Sequence, residues 1–223
     1  PRGKSKIQLI LNYISFVMLG VTIGPYKLRK TQFDIVFICQ LSPVFSALPG
    51  IRVAKKRKLP VVIWVLDLWP ASLATINLDK PWLAKLVGKV VEYIYRNATL
   101  LLSQNNSFSK DMLQYGATEK QLSYFPNWAE DLFADSSHHH REVSTECLEI
   151  LFAGNIGAAQ DVDSILKAIE LLSEKNLKAR FTFVGNGSEL HRFKDEVFKR
   201  NLSDWCLFIG VRPLKEMPSL YAK

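Results

Sequence analysis

The chain has 223 residues, 48% of them hydrophobic, with 29 basic and 21 acidic side chains and a formal net charge of +8. That composition suits a globular chain of one large or two modest domains, and it excludes collagen-like, low-complexity and disordered classes. Cys39, Cys147 and Cys206 have no CxxC or CxxH spacing and leave one thiol unpaired, which argues against a disulfide scaffold and favours a reducing compartment.

Charge is unevenly placed, since residues 1–58 carry eleven Lys/Arg against the single acid Asp34. Such a basic, apolar region suits an anionic membrane surface or nucleic acid. The signatures of RNA-reading sheets and zinc fingers are absent, so no nucleic-acid partner is expected and the membrane is preferred. Residues 7–26 contain no charged side chain and are long enough to span a bilayer. Polar Gln8, Asn12, Ser15 and Thr22, with Gly20, Gly24 and Pro25, favour instead a helix buried in a domain or lying at a membrane surface.

From Phe33 onward strands and helices alternate. Strands are expected at 33–38, 61–66, 99–103 and 121–125, with helices near 44–57, 81–96 and 107–115. In the helix after Pro81, Trp82, Leu83, Leu86, Val87, Val90, Val91, Ile94 and Tyr95 are expected to share one broad face opposite Lys85, Lys89, Glu92 and Arg96. Residues 126–146 are polar and aperiodic and read as a linker. A second series follows, with strands at 148–154, 179–185 and 205–210, helices near 160–175 and 188–200, and a last helix from about Pro213. Continuous apolar strands between helices predict parallel sheets covered on both faces. The boundaries expected are a first domain over 1–130, a linker over 131–147 and a second domain over 148–223.

Ligands of parallel sheets bind beyond the carboxyl ends of the strands. Four loops have that placement. In DLWP, Asp67 follows an apolar strand and reads either as a cleft carboxylate or as a helix cap, with Trp69 and Pro70 shaping the loop. SQNNS contains Ser103 and Ser107, which have no neighbouring His to activate them. In GNIGAAQD, Gly154 and Gly157 would let backbone N–H groups approach a diphosphate, with Asn155 as a further donor; an ordinary βα turn is the competing reading. It is neither a GxGxxG nor a Walker loop, which weighs against a dinucleotide oxidoreductase. In VGNGSE, Gly185 and Gly187 suit close approach of a ribose or phosphate, and Val211 and Arg212 follow the next strand. Lys55, Lys56, Arg57 and Lys58 read as the exposed end of a helix or as a membrane-facing patch. His138, His139 and His140 are consecutive and lie in the linker, so no metal site is expected.

Together, DLWP, the run from SQNNSFSK to FPNWAEDLF, LFAGNIGAAQDVDSILKAIELL, FVGNGSEL and FIGVRPLKEMPSLYAK resemble bacterial family 4 GT-B glycosyltransferases. They are most similar to the WbuB-like amino-sugar transferases of O-antigen and capsule assembly. The resemblance implies two Rossmann-like parallel-sheet domains, an N-terminal one for acceptor and a C-terminal one for nucleotide sugar, both incomplete here: a glycine-rich acceptor loop before residue 1 and an acidic ribose-binding region after Lys223 are expected of a complete relative. Pro126 and Asn127 match the interdomain segment.

By the same resemblance, Gly154, Asn155, Gly157 and Gln160 face the donor diphosphate, Gly185 and Gly187 lie in the next loop, and Gly210, Val211 and Arg212 meet the base, while Asp67 is the candidate catalytic group and Trp69 lies on the acceptor side. Leu66 stands where many relatives carry His, and Gln160 where many carry Lys. The implied activity is retaining transfer of a sugar from a nucleoside diphosphate sugar, a UDP-sugar by expectation, to a lipid-linked saccharide at the inner face of the plasma membrane, with no cofactor. The alternative is an inert fragment that binds nucleotide or membrane.

Overall fold

The apolar runs VFICQ, VVIWV and LLLS can be buried only if their backbone groups find partners, and they find them in one another. In the computed structural model, which describes residues 6–76, 78, 80–133 and 147–222, the strands β1 (Val36–Gln40), β2 (Val61–Val65), β3 (Leu100–Ser103) and β4 (Leu122–Tyr124) form a parallel sheet in that order. A second parallel sheet holds β5 (Leu148–Asn155), β6 (Ala179–Asn186) and β7 (Cys206–Gly210). The chain divides into two compact units, Pro1–Asn127 and Trp128–Lys223, each with one sheet. This is the α/β class with two Rossmann-like units, as expected for GT-B.

In the first unit, α1 (Lys6–Lys27) precedes the sheet, and α2 (Leu48–Arg57), α3 (Pro81–Arg96) and α4 (Phe108–Gln114) connect its strands. Pro81 occupies the first turn of α3, where a missing N–H costs nothing, and Val87, Val91, Ile94 and Tyr95 are buried at helical spacing. They join Ile38, Ile51, Ile63 and Leu101 in one core. Full burial of each such side chain contributes about 1.5–3 kcal/mol. In the second unit, α5 (Val162–Glu174) and α6 (Leu190–Lys199) cover β5–β7, and α7 (Met217–Tyr221) follows. Its core is aromatic: Phe183 lies 4.8 Å from Phe193 and 5.0 Å from Phe208, centroid to centroid.

Two expectations need correction, and one element is additional to those expected. The first strand starts at Val36 rather than Phe33, because its pairing with β2 begins at Val36 opposite Val61, where the Val36 N–H donates to Pro60 O at 3.0 Å. The additional element is the 3-10 helix Ala71–Ile76. Among the described residues the sheets are also not covered evenly on both faces. Strand order rises in one direction, so right-handed crossovers deliver their helices to a single face. On the other, Phe37, Cys39 and Leu207 are exposed, whereas Trp64 is sealed by Phe125, edge-on at 5.5 Å.

Candidate functional site

In the first unit the carboxyl ends of β1, β2 and β3 bring together a polar network. Asp67, half-buried after β2, accepts from Ser42 Oγ at 2.6 Å through its Oδ2, and its backbone carbonyl accepts from Gln40 Nε2 at 3.0 Å. Gln104 Nε2 donates to the Leu66 carbonyl at 2.7 Å, and Asn127 Nδ2 donates to Gln104 Oε1 at 2.7 Å. Gln40 is fully buried, yet its Oε1 has no partner among the described residues.

This network holds the Asp67 loop by its backbone and leaves the second carboxylate oxygen available to a hydroxyl. Gln40, Ser42 and Gln104 were not singled out in the sequence. The signal was there in VFICQ and LLLSQ, where a polar residue ends or follows an otherwise apolar strand.

Trp69, which follows the Asp67 loop, is buried, with 6% of its surface exposed and its ring 6.3 Å from Phe45. It forms one wall of a cavity of about 300 Å³ with Leu68, Leu73, Ala84, Asp111 and Tyr115. Apolar Leu68 and Leu73 draw the loop inward and pack Trp69 onto the core.

In the second unit the three loops lie on adjacent strands, Gly154 opposite Gly185 and Val184 opposite Gly210. The glycines of the second loop answer to the first loop. A Cβ on Gly185 would lie 1.8 Å from the Gly154 carbonyl oxygen, and one on Gly187 would lie 2.1 Å from that of Ile156. Backbone cannot yield there, so Gly185 and Gly187 let the two loops pack on each other. Hydrogen bonds stitch the same contact: Ile156 N–H donates to Asn186 O at 2.9 Å, and Glu189 N–H to Ile156 O at 3.0 Å.

Gly154 differs, since it has φ +155° and open space where a Cβ would stand. Gln160 Oε1 accepts from the Gly157 N–H at 3.2 Å, which leaves the Gln160 amide nitrogen as a donor. Asn155 crowds Gly157, its Nδ2 lying 2.6 Å from where a Cβ would be. Asp161 caps α5 by accepting from the Ser164 N–H at 3.4 Å. A carboxylate at that helix end disfavours a second anion in the same place. An anion at this edge would therefore meet the glycine loop ahead of the α5 end.

Val211 and Arg212 are exposed beyond β7, and Arg212 borders a groove of about 940 Å³ lined by β5–β7 and by α7, beside Glu216 and Tyr221. The basic run at the end of α2 is not one uniform patch. Arg57 donates to the carbonyls of Leu28 and Thr31 and stacks over Phe33, 4.6 Å from its centroid. Lys55 donates to Tyr93 Oη at 3.2 Å. The side chains of Lys56 and Lys58 are exposed, with no hydrogen-bond or ion-pair partner among the described residues. The three linker histidines lie outside the described residues, among which no group of His, Cys, Asp and Glu side chains could hold a metal ion.

Residues 136–223 match the family model of glycosyl transferases group 1. The matched stretch contains all three glycine loops of the second unit. Among curated relatives, "Probable glycosyltransferase WbjE" of Pseudomonas aeruginosa is 29% identical over 167 residues, covering 69% of this chain and 40% of its own length. Among solved structures, Anabaena HepE in complex with UDP is similar over 90% of this chain and 53% of its own, with a TM-score of 0.63 and 14% identity. The lipopolysaccharide outer core galactosyltransferase WaaB is similar over 93% of this chain and 52% of its own, with a TM-score of 0.57 and 16% identity. The chain thus spans about half the length, or less, of these relatives.

Proposed function

We propose that this chain belongs to a retaining glycosyltransferase of bacterial surface polysaccharide synthesis, which moves a sugar from a UDP-sugar to a hydroxyl of a lipid-linked saccharide. The observation that carries the reading is the group 1 match over residues 136–223 combined with the stacking of the Gly154, Gly185 and Gly210 loops on adjacent strand ends. In that reaction the bond from the anomeric carbon to the diphosphate breaks as the bond to the acceptor oxygen forms on the same face. The acceptor proton passes to the departing diphosphate.

Each named residue has a part suited to its chemistry. The open space at Gly154 admits a phosphate oxygen to the backbone, and the free amide of Gln160 donates to it. Val211 and Arg212 face the base or the leaving group, where a guanidinium gives charge-assisted hydrogen bonds. Asp67 orients the acceptor hydroxyl through the oxygen that Ser42 leaves free, and Trp69, packed with Leu68 and Leu73 on the core, holds that loop in place.

Titration calorimetry with UDP tests the donor half. UDP is expected to bind in preference to ADP, and Arg212→Ala to weaken it roughly tenfold or more, the usual loss for a hydrogen bond to a charged group. Gln160→Ala is expected to cost severalfold. Equal affinity for UDP and ADP, or an unchanged Kd in Arg212→Ala, overturns the base-facing assignment. Turnover of UDP-hexoses by a chain that also carries the flanking sequence separates a transferase from a binding module.

A further inference from the structure

The loop after β2 has two sides. Toward β1 and β3 its backbone is satisfied, since the carbonyls of Leu66 and Asp67 accept from Gln104 and Gln40. Toward α3 and α4 it walls the cavity of about 300 Å³, and there the side chains of Asp111, Gln114 and Tyr115 make no hydrogen bond among the described residues. The remaining walls are apolar, with Leu68, Trp69, Pro70, Leu73 and Ala84. Tyr115 lies so close to α3 that a Cβ on Gly88 would stand 3.0 Å from its Cε1.

Two further groups around the cavity lack partners although they are buried. The Trp69 N–H and the Tyr95 O–H have none among the described residues. Burial, and after it the charge of Asp111, holds the Tyr95 phenol above its ordinary range, which places that hydroxyl near the carboxylate on the cavity wall. Unpaired buried polar groups are uncommon, and a cluster of them around one cavity points to a partner from outside the chain.

The lining dictates the chemistry of that partner. It contains no Lys, Arg or His among the described residues, so an anion would face Asp111 with nothing to balance it. A wholly apolar ligand would strip water from Asp111 and Gln114 without replacing their hydrogen bonds. A hexopyranose answers both demands: its C–H faces suit Trp69, Pro70 and Leu73, and its hydroxyls donate to Asp111 and bond Gln114 and Tyr115. The volume is at the lower end of small-molecule sites, roughly 300–1,000 Å³, which suits a single ring.

We propose that this cavity is a saccharide site that takes one uncharged hexose unit on the α3–α4 side of the Asp67 loop. Asp67 is not among its walls, so the unit held here is a different one from that whose hydroxyl Asp67 orients. The assignment deepens the transfer reading and rests on it for the source of the sugar, while the binding itself does not depend on UDP.

NMR titration of the isotope-labelled chain with methyl glycosides of glucose, galactose and N-acetylglucosamine tests it. At least one glycoside is expected to shift the Trp69 indole N–H signal saturably, and glucuronic acid, whose carboxylate meets Asp111, to bind at least tenfold more weakly. Asp111→Asn is expected to weaken the glycoside severalfold. Ala74→Leu, which narrows the cavity from an exposed position, is expected to abolish binding, with UDP titration of both variants unchanged as the sign that they are folded. A trisaccharide of the bound sugar that gains tenfold or more over the methyl glycoside identifies a glycan as the source and equal affinity the free sugar, and the site stands with either. Glycoside binding without UDP binding supports the site and overturns the transfer reading. UDP binding with no glycoside shift, glucuronic acid bound as tightly as the glycosides, or glycoside binding unchanged by both variants overturns the proposal.

Discussion

Cys206 is half-buried at the start of β7, and burial pushes its thiol up to about 11. At pH 8 about one part in a thousand of such a group is thiolate, the form that reacts. Cys39 lies exposed on the open face of β1. Iodoacetamide at pH 8 is therefore expected to label Cys39 well before Cys206, as read by peptide mass spectrometry over time; equal rates would mean that β7 opens on the labelling timescale. A second single-residue contrast concerns two glycines with positive φ. Gly154→Ala meets open space and pays only for its backbone angle, about 1–3 kcal/mol. Gly185→Ala adds a collision with the Gly154 carbonyl, so it is expected to be the more damaging of the two in urea unfolding. Comparable losses would show that the loops can separate at little cost.

Element by element, legibility followed locality. α3 was readable to the residue because Pro81, a one-sided apolar face and a terminal Arg all lie within the segment itself. The start of β1 was not, since register is set by Pro60 and Val61 on another strand. The glycine loops were visible as candidate sites. That Gly185 and Gly187 are required by neighbouring backbone was invisible, because the obstructing carbonyls of Gly154 and Ile156 lie about thirty residues away. Arg57 shows the same limit: within KKRK all four cations look alike, and only the fold turns one of them back onto Leu28 and Thr31.

The α5–α6 pair carries the clearest pH dependence. Arg192 donates to Asp163 at 2.8 Å and to Glu189 at 2.7 Å, while Arg200 pairs with Glu170 and Glu196, both at 3.1 Å. Hydrogen bonding to Arg192 holds the Asp163 carboxyl below the usual carboxylate range, and Lys199 with Arg200 does the same for Glu196. A depressed folded pKa gives stability that is present above the unfolded value, near 4, and lost as pH falls through the folded one. These pairs are exposed, so the effect is small and screened. The melting temperatures of the unaltered chain and Arg200→Ala should differ at pH 6 and converge towards pH 2.5; a constant gap would assign the arginine to packing rather than to charge.

At the scale of the whole molecule, the two cores share no buried residue: one is built on Ile38, Ile63, Val91 and Leu101, the other on Leu166, Phe183 and Phe193. The two sheets share no strand either. Each unit therefore holds its own hydrophobic stabilisation, and damage to one core should stay within it. Phe183→Ala removes the ring that contacts Phe152, Phe181, Phe193 and Phe208, a loss expected to cost about 3–5 kcal/mol. Native-state hydrogen exchange should then show faster exchange throughout β5–β7 with protection of β1–β3 unchanged. A fall in protection across both sheets would mean that the units unfold as one block, and that the boundary at Asn127 and Trp128 divides the geometry of the chain without dividing its cooperativity.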